Sequence, residues 1–168
     1  MKNYFAKKSW ASYLMIGVLL FAILALVFSV MSNKQGNLAG SYGVDNMGAV
    51  IAYDVVAMVL ALIVFAVDGI YISGFINKLL SIVVDLVRLV IALFLILAMA
   101  EMISSRGTLM GFVWFSSLAS GSEQAVAALN DAVVSWVMSV VGLVCLMVSC
   151  GFNLCEKKTK VDTTSAVA

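Results

Sequence analysis

The chain has 168 residues, of which 64% are hydrophobic and only 11% are charged. A soluble domain holds about 45–50% apolar and about 25% charged residues, so this composition excludes an ordinary soluble fold. The 10 basic and 9 acidic residues form no long basic run, which argues against nucleic acid as a partner. With no histidine and three cysteines that lack a C-x-x-C spacing, the sequence predicts neither a metal site nor a redox site.

Four apolar stretches occupy most of the chain, at about residues 13–31, 49–70, 76–102 and 133–150. Each is close to the roughly 20 residues that a helix needs to cross a hydrocarbon core of about 30 Å. They predict an all-α membrane protein, a four-transmembrane-helix bundle that forms one domain over residues 1–160. Residues 161–168 are expected to be a short disordered tail. The first stretch is longer than a signal-peptide core and lacks an A-x-A site, so we expect an uncleaved span.

The distribution of lysine and arginine predicts the orientation of these spans. Basic residues concentrate at the N-terminus, in the connection between spans two and three, and in the tail, as Lys2, Lys7, Lys8, Lys78, Lys157, Lys158 and Lys160. The two other connections, at about 32–48 and 103–132, carry only Lys34 and Arg106. Because cytoplasmic loops are enriched in basic residues, both termini are expected in the cytoplasm, and these two connections are expected to be outer loops.

The second outer loop contains an apolar and aromatic segment, Leu109–Phe115, that is too short to span a bilayer. Its Phe112, Trp114 and Phe115 are expected either to anchor the loop flat in the membrane interface or to form a binding surface. Ser122 is predicted to be a helix N-cap, with Glu123 in the first turn of the extension that leads into span four.

Spans two and three contain ionisable residues, which are costly inside a membrane and need partners there. Asp54 and Asp68 lie on one helical stripe of span two, and Lys78, Asp85 and Arg88 lie on one stripe of span three. The tight connection predicts an antiparallel hairpin in which these stripes face each other, with Arg88 near the middle. The cluster could fix the register of the hairpin, line an ion or proton path, or pair with another subunit.

Span four carries small residues at helical spacing, which would allow another helix to approach closely. This predicted seam consists of Ser135, Ser139, Gly142, Cys145 and Ser149. Span one carries a weaker seam of small residues. The seam could serve packing within the bundle or assembly of a homo-oligomer.

The segment Arg106–Trp136 resembles a region of uncharacterised small four-span membrane proteins of Firmicute-type bacteria. The resemblance is carried by Gly111–Ser116, Gly121 and Ala127–Trp136, and it implies a bacterial plasma membrane without an assigned activity. The layout of spans and outer loops is also similar to the MARVEL and tetraspan architectures. The outer-loop cysteines of tetraspanins and claudins are missing here.

These features predict a non-enzymatic protein without a cofactor, with no catalytic or metal-binding residues. We expect an accessory or scaffold subunit of the plasma membrane that binds partners through span four and the second outer loop, as a homo-oligomer or within a larger complex. The alternative is a small channel or transporter protomer that uses the polar seam between spans two and three. If the protein were an enzyme, Asp68 and Lys78 would be the only candidate catalytic residues. This pair is better explained as a salt bridge.

Overall fold

The computed structural model describes residues 10–40, 42–67, 75–115 and 122–164, with side chains described for 10–40, 42–67, 79–115 and 122–151. Within these residues the chain forms four helices: α1 (Trp10–Leu38), α2 (Met47–Val67), α3 (Phe75–Phe115) and α4 (Glu123–Thr164). All four are long and apolar enough to cross a membrane. The predicted fold class, a four-helix transmembrane bundle, is therefore confirmed.

The helix ends follow local sequence signals. Gly40 follows α1 with a positive φ of 89°, a conformation that residues with a Cβ rarely adopt. At the start of α4, the Ala125 amide donates to the Ser122 hydroxyl at 3.3 Å, and Glu123 stands in the first turn. The predicted N-cap at Ser122 is confirmed, because its oxygen satisfies an amide that has no partner within the helix.

Helices α3 and α4 are longer than the predicted spans. The segment 103–132, predicted as an outer loop, is largely helical, because α3 continues to Phe115 and α4 begins at Glu123, where the predicted extension into span four starts. One buried stripe explains the extension of α3. It runs without interruption through Ile91, Leu95, Ala98, Met102, Arg106 and Leu109 and follows the helical spacing of three and four residues. The predicted disordered tail at 161–168 overlaps the end of α4, which the structure continues to Thr164.

The helices pack as antiparallel neighbours, α1 against α4 and α2 against α3. The central core cluster consists of Met15, Val18, Ala22, Ala57, Ala61, Val64, Ile91, Leu95 and Leu146. Many large apolar side chains face away from the core, among them Leu20, Leu62, Leu93 and Val140. This outward apolar surface is what a bundle in lipid requires.

The two ends of the bundle differ. Ser149 donates to the Ala11 carbonyl oxygen at 3.4 Å, so the start of α1 and the later part of α4 share one end, the proximal end. The connections α1–α2 and α3–α4 lie at the opposite end, the distal end. Val44 and Val50 pack with Met102, which places the start of α2 beside that turn of α3.

Candidate functional site at the distal end of the bundle

Arg106 is the centre of the distal end. Its side chain is fully buried, with an exposed fraction of 0%. Its Nε donates to the Ser32 hydroxyl at 3.1 Å, its Nη2 donates to the Ser32 carbonyl oxygen at 2.6 Å, and its Nη1 donates to the Tyr42 carbonyl oxygen. Ser32 in turn donates to the Ala128 carbonyl oxygen at 2.7 Å. One guanidinium thus ties together α1, the α1–α2 connection and α3, and Ser32 extends the network to α4.

The chain accommodates this network through a close backbone approach at Gly36. A Cβ atom at Gly36 would lie 2.6 Å from Arg106 Nη1 and still closer to the Tyr42 carbonyl oxygen. A side chain there would displace the connection from the guanidinium, so glycine is required by space rather than by backbone angle. The connection is held further by Asn33, whose Oδ1 accepts from the Val44 amide at 2.7 Å.

Above Arg106 the three aromatic residues of the predicted outer-loop interface lie on the last turns of α3. Phe112 is partly buried and packs edge-on against Tyr42, with ring centroids 6.3 Å apart. Trp114 and Phe115 are 55% and 85% exposed. Phe115 is nine residues beyond Arg106, so it stands about 13–14 Å further along the helix axis. We call Trp114 and Phe115 the distal tip.

An apolar cluster of Leu109, Ala125, Ala128 and Leu129 supports the distal tip, with Phe112 and Val113 packed against it. The tip is therefore the end of a packed helix, not a segment lying flat by itself. The expected flat interfacial loop is replaced by a projecting helical end, because the buried stripe of α3 continues past the apparent polar break at Ser104–Gly107.

The charges of the predicted hairpin cluster are not all brought together. Arg88 is buried, with an exposed fraction of 1%, and its Nη1 donates to Asp85 Oδ1 at 3.2 Å. Asp54 is buried on α2, and among the described side chains no ion pair joins it to Arg88 or Asp85. Asp68 lies outside the described residues, and so does the side chain of Lys78.

Arg88 also lies nearer the proximal end than the predicted middle of the bundle. Ile91, three residues later, shares a core cluster with Val64, close to the end of α2 at Val67. Asp54 sits one turn from Ala57, in the central part of that hairpin. The rings of Tyr53, next to Asp54, and of Phe94, six residues beyond Arg88, lie 5.9 Å apart, which puts Asp54 and Arg88 at different levels, about 9 Å or more apart along the helix axes. The hairpin register therefore keeps these charges apart.

The layer around Asp54 contains two buried polar atoms without hydrogen-bond partners among the described residues. They are Oδ1 of Asp54 and Nε1 of Trp136. Trp136 packs against the cluster that includes Val50, one helical turn before Asp54. Between this layer and Arg88 the interior is filled by Ala57, Ala61, Ile91 and Leu95, all of them buried. The described part of the α2–α3 interface is therefore apolar between its two charged levels.

The small-residue seam of α4 faces α1. The hydroxyl groups of Ser135 and Ser29 hydrogen-bond at 2.8 Å, and Ser135 also donates to the Ala25 carbonyl oxygen at 3.0 Å. A Cβ atom at Gly17 would lie 3.8 Å from Cys145 Sγ. Ser139 donates to the Ser135 carbonyl oxygen within α4, and Ser149 reaches α1 at Ala11. The seam is occupied within the bundle, which favours the first of its two predicted roles, and the expectation that span four also recognises a partner stays a prediction.

Gly142 provides a graded test of this packing. A Cβ atom there would lie 3.5 Å from the Cβ of Phe21, an ordinary contact distance. We expect Gly142→Ala to leave the thermal midpoint of the purified protein nearly unchanged and Gly142→Leu to lower it clearly, because the larger side chain separates the helices. Val140→Leu, on the lipid-facing side of α4, is the matched control. Equal midpoints for Gly142→Ala and Gly142→Leu would contradict this packing.

Sequence reasoning treated Arg106 as an ordinary charge of an outer loop and missed its role. The available signal was its spacing from Met102 and Leu109, which continues the apolar stripe of α3. Ser104, Ser105 and Gly107 concealed that signal because such residues are common in turns.

The fold and the lipid-facing surface define this chain as an integral membrane protein that spans the bilayer four times. No protein-family model, curated protein or solved structure matches the chain. Within the described residues, no group of three His, Cys, Asp or Glu side chains is placed to hold a metal ion.

Proposed function

We propose that this protein is a non-enzymatic accessory or scaffold subunit that binds a partner protein through the distal tip. The observation that carries the proposal is the exposure of Trp114 and Phe115 at the end of a packed helix. Large exposed aromatic side chains on a fixed support are typical of binding surfaces, because they bury much area with little loss of side-chain entropy.

The depth of the distal tip supports a protein partner rather than lipid. The start of α2 lies beside Met102, and the connection before it carries the exposed, polar Asp45 and Asn46. Polar connections mark the edge of the hydrocarbon core. The tip lies more than ten residues beyond Met102 on α3, or about 15 Å or more past that edge. Aromatic side chains at this height gain little from acyl chains.

The alternative function, a channel or transporter protomer, is favoured by the unpartnered oxygen of Asp54 in the bundle interior. A single chain that conducts needs a continuous polar path, and the apolar layer of Ala57, Ala61 and Leu95 argues against one. Purified protein in liposomes is expected to give no ion flux above that of empty vesicles. Flux that Asp54→Leu abolishes would support the alternative instead.

Replacing both residues of the distal tip tests the proposed function. We expect Trp114→Ser with Phe115→Ser to insert and fold normally but to lose most cross-linking to the native partner, since the contact area is removed. The matched control is Trp10→Ser, which removes a 76% exposed aromatic side chain at the proximal end. Quantitative cross-linking in native membranes distinguishes a second copy from another subunit by mass. Unchanged cross-linking of a folded double variant would contradict the proposal.

We also propose that the distal end faces outward from the plasma membrane and that both termini are cytoplasmic, because basic residues concentrate at the proximal end. In a background without the three native cysteines, Asn37→Cys and Ser120→Cys should react with an impermeant thiol reagent added to intact cells. Asn77→Cys should react only after permeabilisation. Labelling of Asn77→Cys in intact cells would reverse this orientation.

A further inference from the structure

Asp54 places a carboxyl group in the interior of the bundle. Its side chain is 2% exposed, and its Oδ1 atom has no hydrogen-bond partner among the described residues. Val50 and Ala57, the neighbours of Asp54 on the buried face of α2, belong to two apolar core clusters. An ionised carboxylate in such surroundings loses its hydration, which is strongly unfavourable unless an opposite charge or hydrogen-bond donors replace the water.

The described basic side chains do not supply that charge. Arg88 lies about 9 Å or more from the level of Asp54 along the helix axes, and it donates to Asp85 instead. Arg106 donates to two backbone carbonyl oxygens and a hydroxyl group at the distal end, and Lys34 is exposed. Among the described side chains, no ion pair joins Asp54 to any of them.

The lysines whose side chains are not described lie too far along the helices to pair with Asp54. Phe94 marks the level of Asp54 on α3, and Lys78 precedes it by 16 residues, or about 24 Å. Trp136 marks this level on α4, and Lys157 follows it by 21 residues, or about 31 Å. The N-terminal lysines precede α1, which begins at the proximal end. These axial distances far exceed the length of a lysine side chain.

The other ionisable groups in this half of the bundle are mainly acids. Tyr53 on α2, Glu101 on α3 and Asp131 on α4 are all partly buried. On α1 the described ionisable groups are Tyr13, which lies toward the proximal end, and the exposed Lys34. The residues at the distal end that the structure does not describe are all uncharged. Negative charge on the neighbouring carboxylates opposes the ionisation of a further carboxyl group.

We propose that Asp54 is an internal proton-binding site, whose carboxyl group carries a proton at neutral pH in the folded bundle. A proton removes the charge without requiring further ligands. A metal ion is a poorer occupant, because a hard cation needs several oxygen ligands, and within the described residues no group of three His, Cys, Asp or Glu side chains is placed to hold one. The other unpartnered atom of this layer, Nε1 of Trp136, is a hydrogen-bond donor and does not coordinate cations. This site does not depend on the distal tip.

Infrared spectroscopy of the full-length protein in detergent tests for the proton directly, since the carbonyl band of a carboxylic acid is separate from the bands of carboxylates and of the backbone. We expect such a band at neutral pH, shifted in heavy water and lost in Asp54→Asn. Asp131→Asn, which removes a partly buried carboxyl group of α4, is the matched control and should keep the band. If Asp54→Asn does not fold, Asp54→Leu takes its place. Absence of the band from native protein, or an unchanged band in the folded variant, would overturn the proposal.

The dependence of stability on pH gives an independent test. An aspartate in the unfolded chain is ionised at neutral pH, so unfolding releases the proton, and the folded state loses stability as the pH rises from weakly acidic to neutral values. We expect the thermal midpoint of native protein to fall over this range by more than that of Asp54→Asn or Asp54→Leu. Replacing potassium by sodium at constant ionic strength should leave the native midpoint unchanged. Equal pH slopes would contradict the proton site, and a sodium-dependent midpoint that Asp54→Asn abolishes would replace it by a metal site.

Discussion

Replacement of Arg106 by methionine is expected to destabilise the folded bundle by about 2–5 kcal/mol, the largest effect of any single substitution at the distal end. The guanidinium donates to the carbonyl oxygens of Ser32 and Tyr42 and to the Ser32 hydroxyl. Methionine preserves much of the volume but leaves buried acceptors without donors, at about 1–3 kcal/mol for each. Thermal or denaturant unfolding in a mild detergent measures the difference.

Two further variants separate the hydrogen bonds of Arg106 from its charge. Arg106→Lys keeps the charge but cannot reproduce a planar set of three donors, so its stability should fall between native and methionine values. Lys34→Met removes a basic residue from an exposed position of the distal end and should have little effect. A methionine variant as stable as native protein would show that the three hydrogen bonds do not hold the distal end together.

A substitution at Gly36 should disrupt the same network by steric overlap. A Cβ atom at Gly36 would overlap the Tyr42 carbonyl oxygen and approach Arg106 Nη1. We therefore expect Gly36→Ala to destabilise the bundle by about 1–3 kcal/mol, although alanine is the better helix former. Because both substitutions break one network, the double variant should lose less free energy of unfolding than the sum of the two single losses.

Much of the fold could be predicted from the sequence, because apolar length dominates the structure of a chain in lipid. The four spans and the N-cap at Ser122 follow from hydropathy and from one short motif. The extent of α3 could not be predicted in the same way. The apolar segment Leu109–Phe115 is too short to be recognised as a span, and Ser104, Ser105 and Gly107 before it have the appearance of a break.

The candidate site was less accessible to sequence reasoning. The small residues of α4 predict close packing but do not name the helix that packs there, and only the structure assigns that helix to α1. The same limit applies to Arg106, whose acceptors are mainly backbone carbonyl oxygens. Any residue can supply a carbonyl oxygen, so no pattern of side chains reveals such a partner.

The ion pair between Arg88 and Asp85 should respond asymmetrically to substitution. Arg88 is buried and Asp85 is mostly exposed. Asp85→Leu removes the carboxylate and deprives a guanidinium enclosed by the bundle of an ion-pair partner, which is costly for a buried charge. Arg88→Leu instead leaves a carboxylate at the surface of α3, where headgroups, water or a proton can reach it more easily. We therefore expect Asp85→Leu to lower the free energy of unfolding more than Arg88→Leu does.

The variant with both substitutions completes a double-mutant cycle for Asp85 and Arg88. Replacing both members of a buried pair by apolar residues is often nearly neutral, so Asp85→Leu with Arg88→Leu should be more stable than Asp85→Leu alone. Unfolding of the native, single and double variants in one detergent gives the coupling energy directly. If the second substitution restores no stability, Arg88 is held mainly by groups other than Asp85. If the double variant is as stable as the native protein, the pair is dispensable for folding.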